Sequence, residues 1–165
     1  MKKKHGDAYS FLYNMDSDIY MHVSDKDSAA YFPQNRPSIF RVKLKTTLNL
    51  TGSWKIGVCC VDMTNIDVKR NKATGVSRLF ITCSVCTGLI VNGEQTRVLR
   101  CIELEHDVHE VYTDIFYVPV EVSFLDSIEF TVITDLSTYG LFELKDASDD
   151  NIGIVSMTLH LKRCS

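Results

Sequence analysis

The feature that most limits the fold of this chain is the period-two alternation of apolar and polar residues. In one segment Phe40, Val42 and Leu44 alternate with charged residues, as in a strand that has one buried and one wet face. Such segments, rich in β-branched and aromatic residues, recur about eight times in the 165 residues. They cover residues 18–23, 39–50, 54–63, 77–87, 94–104, 110–116, 127–135 and 152–162. Few windows favour a helix, so the sequence predicts an all-β protein.

The connections between these strands predict their arrangement. Segments 24–38, 64–76 and 136–151 are long, whereas an up-and-down barrel has short turns throughout. Long connections let the chain cross from one sheet to another. We therefore expect a two-sheet antiparallel sandwich, an eight-stranded single jelly roll, formed by residues 17–165 after an N-terminal arm of residues 1–16.

One short turn is also readable in the sequence. Asn92-Gly93 lies between two alternating segments, and this dipeptide accepts the positive φ values of a two-residue type I′ turn. The fourth and fifth predicted strands should therefore form a hairpin.

Charge and hydropathy bound the possible partners. Lys and Arg total 18 against 21 Asp and Glu, a formal net charge of −3, so no broad basic surface for nucleic acid is expected. The one basic run, Lys2-Lys3-Lys4, predicts at most a weak contact with nucleic acid. The longest apolar runs, 56–61 and 115–120, fall far short of the roughly 20 residues that span a bilayer. We expect no membrane insertion, and the start of the chain lacks the apolar run of an export signal.

The cysteines and histidines raise the question of a metal site. Six cysteines include the adjacent pair Cys59-Cys60, which suits reduced thiols in a reducing compartment better than a disulfide framework. Cys83 and Cys86 with His106 and His109 superficially match four zinc ligands. Residues three apart on a strand face opposite sides, so we expect buried structural cysteines and no metal.

No pattern of catalytic residues emerges. The chain contains no Gly-x-Ser-x-Gly elbow and no glycine-rich phosphate loop. The acidic run 146–150 is interpreted as a solvated loop, because the EF-hand pattern is absent. We expect a protein that is not an enzyme and that has no cofactor.

Two aromatic segments remain outside the predicted strands, 9–15 and 31–37. Soluble monomers seldom expose apolar patches of this kind, so each segment should dock against something. The second could simply plug the end of the sandwich, or both could contact a neighbouring subunit. The predicted interface residues are Tyr9, Phe11, Leu12, Tyr13, Tyr31, Phe32 and Pro33.

An ordered set of motifs resembles a known family. The first half contains the run 31–35, then Phe40-x-Val42-x-Leu44, then Leu48-x-Leu50-x-Gly52-x-Trp54. The second half contains the runs 117–120, 127–132 and 158–163. Together they resemble the penton-like minor capsid proteins of Polinton (Maverick) elements and adintoviruses, over about residues 18 to 163.

The resemblance implies a viral structural protein. It implies a single jelly roll that assembles in fives at icosahedral vertices, beside a larger major capsid protein. The compartment would be the virion, after synthesis inside a eukaryotic host cell. A second hypothesis is a non-enzymatic jelly-roll binding module for a carbohydrate or a receptor.

Overall fold

The computed structural model describes residues 13–15, 18–64, 75–91, 93–104, 108–138, 141–146 and 153–164. Side chains are described for these ranges except 13–15, 135–138 and 141–146. The described residues form strands and turns and contain no helix. The strands are β1 (Tyr13–Met15), β2 (Asp18–Ser24), β3 (Ile39–Asn49), β4 (Trp54–Thr64), β5 (Val76–Cys83), β6 (Leu89–Val91), β7 (Glu94–Thr96), β8 (Val98–Glu103), β9 (Val108–Val111), β10 (Tyr117–Pro119), β11 (Phe124–Thr138), β12 (Leu141–Asp146) and β13 (Ile154–Arg163).

The strands form two antiparallel sheets whose order is that of a jelly roll. The first sheet runs β1-β2-β13-β4, and both β9 and β10 pair with the far edge of β4. The second sheet runs β12-β11-β5-β8, and β3 also pairs with β11. The strands β2, β3, β4 and β5 alternate between the two sheets, and the strand orders of the sheets match the two Greek keys of a jelly roll. The prediction of an all-β, two-sheet single jelly roll is confirmed.

Inward side chains of both sheets form one hydrophobic core between them. In β2 the inward residues Ile19, Met21 and Val23 alternate with more exposed ones, as the sequence pattern predicts. In β11 and β3 the rings of Phe130 and Phe40 face each other, with centroids 5.2 Å apart. Both are fully buried, and each such side chain contributes about 1.5 to 3 kcal/mol on leaving water.

Several predicted strand boundaries are wrong. The segment 77–87 ends as a strand at Cys83, because residues 84 and 85 form a turn. The segment 94–104 is divided at Arg97, and the segment 110–116 is a strand only to Val111. The predicted loop 136–151 contains the end of β11 and all of β12.

The predicted hairpin turn is consistent with the structure. The strands β6 and β7 pair antiparallel, and Gly93 between them has a φ of 83°. Only a residue without a side chain adopts that conformation at no steric cost. Asn92 lies outside the described residues. Beyond this short ribbon, β5 and β8 pair as the two arms of the predicted hairpin.

A wide bulge interrupts the pairing of β3 with β11. Lys43 stands opposite Ser127 and Leu48 opposite Leu125, so Asp126 alone faces the four residues 44–47. Residues from this stretch, Thr46 and Thr47, line a cleft of about 470 Å³ together with Ile19 and Trp54.

Trp54 gives a direct test of the core. It is 8% exposed, shares the inward face of β4 with Ile56, and donates its indole N–H to the carbonyl oxygen of Thr51. Trp54→Ala should lower the free energy of unfolding by about 3 to 5 kcal/mol, because a large cavity remains. Urea denaturation measures this loss. As the control, Ile90→Ala at an 80% exposed position should change it by less than about 0.5 kcal/mol.

A candidate assembly surface

The connection from β2 to β3, residues 25–38, is a loop held by its own polar groups. The backbone N–H of Ser24 donates to the carboxylate of Asp27 at 2.9 Å, which closes a turn at the end of β2. Ser28 has a φ of 59°, and its carbonyl oxygen accepts the N–H groups of Tyr31 and Phe32, both at 2.9 Å. The loop therefore has one defined path in spite of its length.

Asn35 is the side chain that fixes this loop against β3. Its amide group donates to the carbonyl oxygens of Asp27 and Arg41, at 3.1 and 2.8 Å. Its side-chain oxygen accepts the N–H of Arg41 at 2.9 Å. One side chain thus imitates a strand partner for β3 and ties both ends of the loop together.

Asp25 anchors the start of the loop to β13. Its backbone N–H donates to the carbonyl oxygen of Val155 at 3.0 Å, and its carboxylate accepts the N–H of Val155 at 3.1 Å. The carboxylate is buried and lies 3.1 Å from the ammonium group of Lys26. The two hydrogen bonds between Asp25 and Val155 attach the start of the loop to β13.

The anchored loop presents an aromatic tip to solvent. Tyr31 is 71% exposed, and Pro33 next to Phe32 is also exposed. Phe32 is half-buried beneath Arg41, whose guanidinium carbon is 5.3 Å from the ring centroid. The idea that this segment plugs the end of the sandwich is therefore wrong for Tyr31.

The predicted interface residues divide into three groups. Tyr31, Phe32 and Pro33 lie together on the loop. Tyr13 is in β1, where its backbone pairs with Tyr20 at the edge of the first sheet. The remaining predicted residues lie outside the described residues; they are Tyr9, Phe11 and Leu12.

The outer face of the first sheet carries a row of aromatic residues that sequence reasoning missed. Tyr20, His160, Gly57 and Tyr117 are successive cross-strand partners on β2, β13, β4 and β10. The rings of Tyr20 and His160 are stacked, with centroids 4.3 Å apart. A Cβ atom on Gly57 would lie 2.4 Å from the side chain of Ile115, so the glycine permits the close approach of this segment.

Hydrogen bonds hold His160 in the middle of this row. Its Nε2 lies 2.9 Å from a carboxylate oxygen of Asp18, and its Nδ1 lies 2.7 Å from the hydroxyl of Tyr117. A neutral imidazole satisfies both groups if Nε2–H donates to Asp18 and Nδ1 accepts from Tyr117. Partial burial raises the pKa of Tyr117, so its hydroxyl keeps its proton at neutral pH. The two hydrogen bonds fix the orientation of the His160 ring between Asp18 and Tyr117.

Apolar exposure continues on this face beyond the aromatic row. Val111 pairs with Cys60, and Cys60 pairs with Thr158. Thr158 is two residues from His160 on β13, so Val111 lies on the same outer side of the first sheet. It is 70% exposed, and Tyr20 is 44% exposed. We use the name sheet face for the surface formed by Tyr20, His160, Tyr117 and Val111.

The outer side of the second sheet is different in character. Arg41 pairs with Glu129 at 2.7 Å, and Lys43 pairs with Asp126 at 2.7 Å. The ammonium group of Lys43 lowers the pKa of the Asp126 carboxyl. Surface ion pairs suit a face that stays in water, because desolvating them is costly.

The structure corrects the geometry expected for Cys83 and Cys86. They were expected on opposite faces of one strand, but β5 ends at Cys83 and the following turn brings both thiols into contact. Both are buried, as expected. His109 lies on β9 beside Asp62 at 3.3 Å, and His106 is outside the described residues. Within the described part of the chain no three potential ligands are grouped for a metal.

Comparisons with known proteins identify no family for this chain. No family model, curated protein or solved structure matches it. The family resemblance of its motifs therefore remains a prediction, while the jelly-roll fold stands on the strand order described above. Across the ranges that the structure describes, we find no helix with the length and hydropathy of a membrane span.

Asn35 allows a test of the rigidity of the loop. Asn35→Ala removes three hydrogen bonds and should lower the free energy of unfolding by about 2 to 3 kcal/mol. Hydrogen exchange should also accelerate at the amide of Arg41. The neighbouring exposed amide provides the control, since Gln34→Ala should leave both quantities nearly unchanged. Equal effects of the two substitutions would contradict the assigned role of Asn35.

Tyr117 tests the network on the sheet face. Tyr117→Phe leaves Nδ1 of the buried His160 without its 2.7 Å partner and should cost about 1 to 2 kcal/mol of unfolding free energy. Tyr31→Phe removes a hydroxyl from an exposed ring and should cost less than about 0.5 kcal/mol. Chemical denaturation of both variants provides the comparison, and a cost-free Tyr117→Phe would rule the network out as a stabilising feature.

Proposed function

We propose that this protein is a viral structural protein, a minor capsid subunit that assembles into pentamers at icosahedral vertices beside a major capsid protein. The observation that carries the proposal is a rigid loop on a single jelly roll that exposes Tyr31 at its tip. The fold alone is shared by lectins and cupins, so the argument rests on the surfaces.

The rigidity of the loop favours binding. Ordering a flexible segment on association costs free energy, and a segment already ordered by Asn35 and Ser28 avoids that cost. Tyrosine supplies a large contact area with only two side-chain torsions to restrict. Tyr31 therefore has the properties of an anchor residue at an interface.

A closed ring needs two different surfaces on each subunit, because a cyclic assembly of more than two copies joins unlike patches. The loop provides one patch, with Tyr31 exposed at its tip. The sheet face provides a second patch, in which Tyr20 and Val111 are exposed. We propose that Tyr31 of one copy packs on the sheet face of the next copy, around Tyr20 and Val111. The ion-paired second sheet would then face water.

The aromatic row also favours a second candidate function, a carbohydrate-binding module. Sugars stack on exposed rings presented by a flat sheet, and Tyr20 lies flat against His160 with an interplanar angle of 1°. Glycan-array binding that is lost in Tyr20→Ala and kept in Tyr31→Ala would support this function instead.

Native mass spectrometry and sedimentation over a concentration series test the assembly. The full chain should form a closed oligomer, with five copies expected. Tyr31→Ala and Val111→Asp should each weaken association at least tenfold, which is about 1.4 kcal/mol. Ile90→Asp is the matched control, because Ile90 is 80% exposed but belongs to neither proposed surface.

Mixing the two variants tests the pairing of unlike surfaces. Tyr31→Ala keeps an intact sheet face and Val111→Asp keeps an intact loop, so each mixed pair retains one good interface. The mixture should give heterodimers that do not grow into rings. A full chain that remains monomeric at the highest soluble concentration, or oligomers insensitive to both substitutions, would contradict the proposal.

The N-terminal arm is tested by deletion. Removing residues 1–16 deletes β1 and uncovers the edge of β2 at Asp18–Tyr20. If the arm contributes to assembly, the truncated protein should form a smaller or weaker oligomer. An unchanged oligomer would limit the interface to the loop and the sheet face.

A further inference from the structure

The turn after β5 brings two cysteines into direct contact. Cys83 is the last residue of β5, and the N–H of Cys86 donates to its carbonyl oxygen at 3.3 Å. The thiol of Cys86 is hydrogen-bonded to the sulfur of Cys83. The exposed fraction is 1% for Cys83 and 0% for Cys86. The chain thus contains a buried pair of adjacent thiols, separated by only two residues.

The surroundings of this pair are not symmetric. The guanidinium group of Arg97 donates to the carbonyl oxygen of Ser84 at 2.6 Å, inside the turn, and to the carboxylate of Glu121 at 3.2 Å. Donation from the Cys86 thiol lowers the pKa of Cys83, with a further contribution from Arg97. The same hydrogen bond and burial raise the pKa of Cys86. Cys83 is therefore the more acidic thiol of the pair, and Cys86 is the donor of the hydrogen bond between them.

We propose that Cys83 and Cys86 form an oxidation site, which a small peroxide converts to an intramolecular disulfide. The Cys83 thiolate attacks one oxygen of hydrogen peroxide, forming an S–O bond as the O–O bond breaks, and one water leaves after protonation. The sulfur of Cys86 then attacks the sulfenic acid of Cys83, forming the S–S bond as the S–O bond breaks. The departing hydroxide takes the proton of Cys86 and leaves as the second water. Two thiols and one peroxide thus give one disulfide and two waters.

The position of the turn gives this chemistry a structural effect. Cys86 pairs with Val120 next to β10 of the first sheet, while Cys83 belongs to the second sheet. The carbonyl oxygen of Val85 accepts the N–H of Glu121 at 2.9 Å, and Thr87 donates to Pro119 at 3.0 Å. A disulfide would restrain the turn that connects the two sheets at this end of the sandwich. This inference is independent of the proposed capsid function.

Burial decides the choice of oxidant. The two sulfurs have almost no exposed surface, so a large oxidant such as glutathione disulfide does not fit beside them. Hydrogen peroxide is close in size to water and is therefore the oxidant we propose. The exposed cysteines, Cys101 and Cys164, provide an internal reference, because they react without any opening of the structure. Neither has a second cysteine in its turn or strand.

The test uses the folded full chain and hydrogen peroxide. After treatment, remaining thiols are alkylated in denaturant and the peptides are mapped by mass without reduction. The expected product is a peptide that contains Cys83 and Cys86, lacks two hydrogens, resists alkylation, and is restored by dithiothreitol. Its yield should not depend on protein concentration. Complete alkylation of both residues, in protein whose Cys101 and Cys164 are oxidised, would overturn the proposal.

Single substitutions test the assigned order of events. In Cys86→Ser the sulfenic acid of Cys83 has no thiol to react with. Dimedone added together with denaturant, after the peroxide is removed, should therefore label it about tenfold more than it labels Cys86 in Cys83→Ser. Equal labelling of the two variants would refute the asymmetry. Far-UV circular dichroism shows whether each variant is folded. If one of them is not folded, the peptide mapping of the unsubstituted chain decides the proposal.

Discussion

The rest of the structure depends on the insertion of the last strand between two early ones. The strand β13 pairs with β2 on one side and with β4 on the other, over most of its ten residues. Leu159, for example, stands between Met21 and Val58. Pairings between such distant segments carry a large loop-closure cost, so the first sheet is complete only when the whole chain is available. The sheet face has the same requirement, because its residues come from four separate strands.

The two proposed contact surfaces are built by different means. The loop 25–38 meets strands only at its ends, and polar groups such as the Asn35 amide take the place of a regular ladder. The sheet face relies on register, since Tyr20, His160 and Tyr117 meet only because their strands pair in one alignment. A one-residue slip would turn these side chains toward the other face. The inward packing that fixes the strand register therefore also fixes which side chains form the sheet face.

Sequence reasoning found most of the fold and part of the site. Alternation located β2, β3, β4 and β13 within one or two residues, because each buries one face against a single core. It failed at Cys83, where apolar residues continue through a turn that hydrogen bonds determine. The exposed Tyr31 was recognisable from an aromatic run in a loop. His160 was not, since its partners Asp18 and Tyr117 are 142 and 43 residues away and nothing local indicates them.

The bulge of four residues in β3 has a consequence for solubility. The strand lies outermost in its part of the second sheet, where a straight edge would offer a regular row of N–H and C=O groups. Such an edge can recruit strands from other molecules and start the growth of amyloid-like aggregates. The detour of residues 44–47 breaks that regular row, and the adjacent Lys43 and Lys45 add charge. The irregular edge therefore disfavours edge-to-edge pairing of β3 with strands of other molecules.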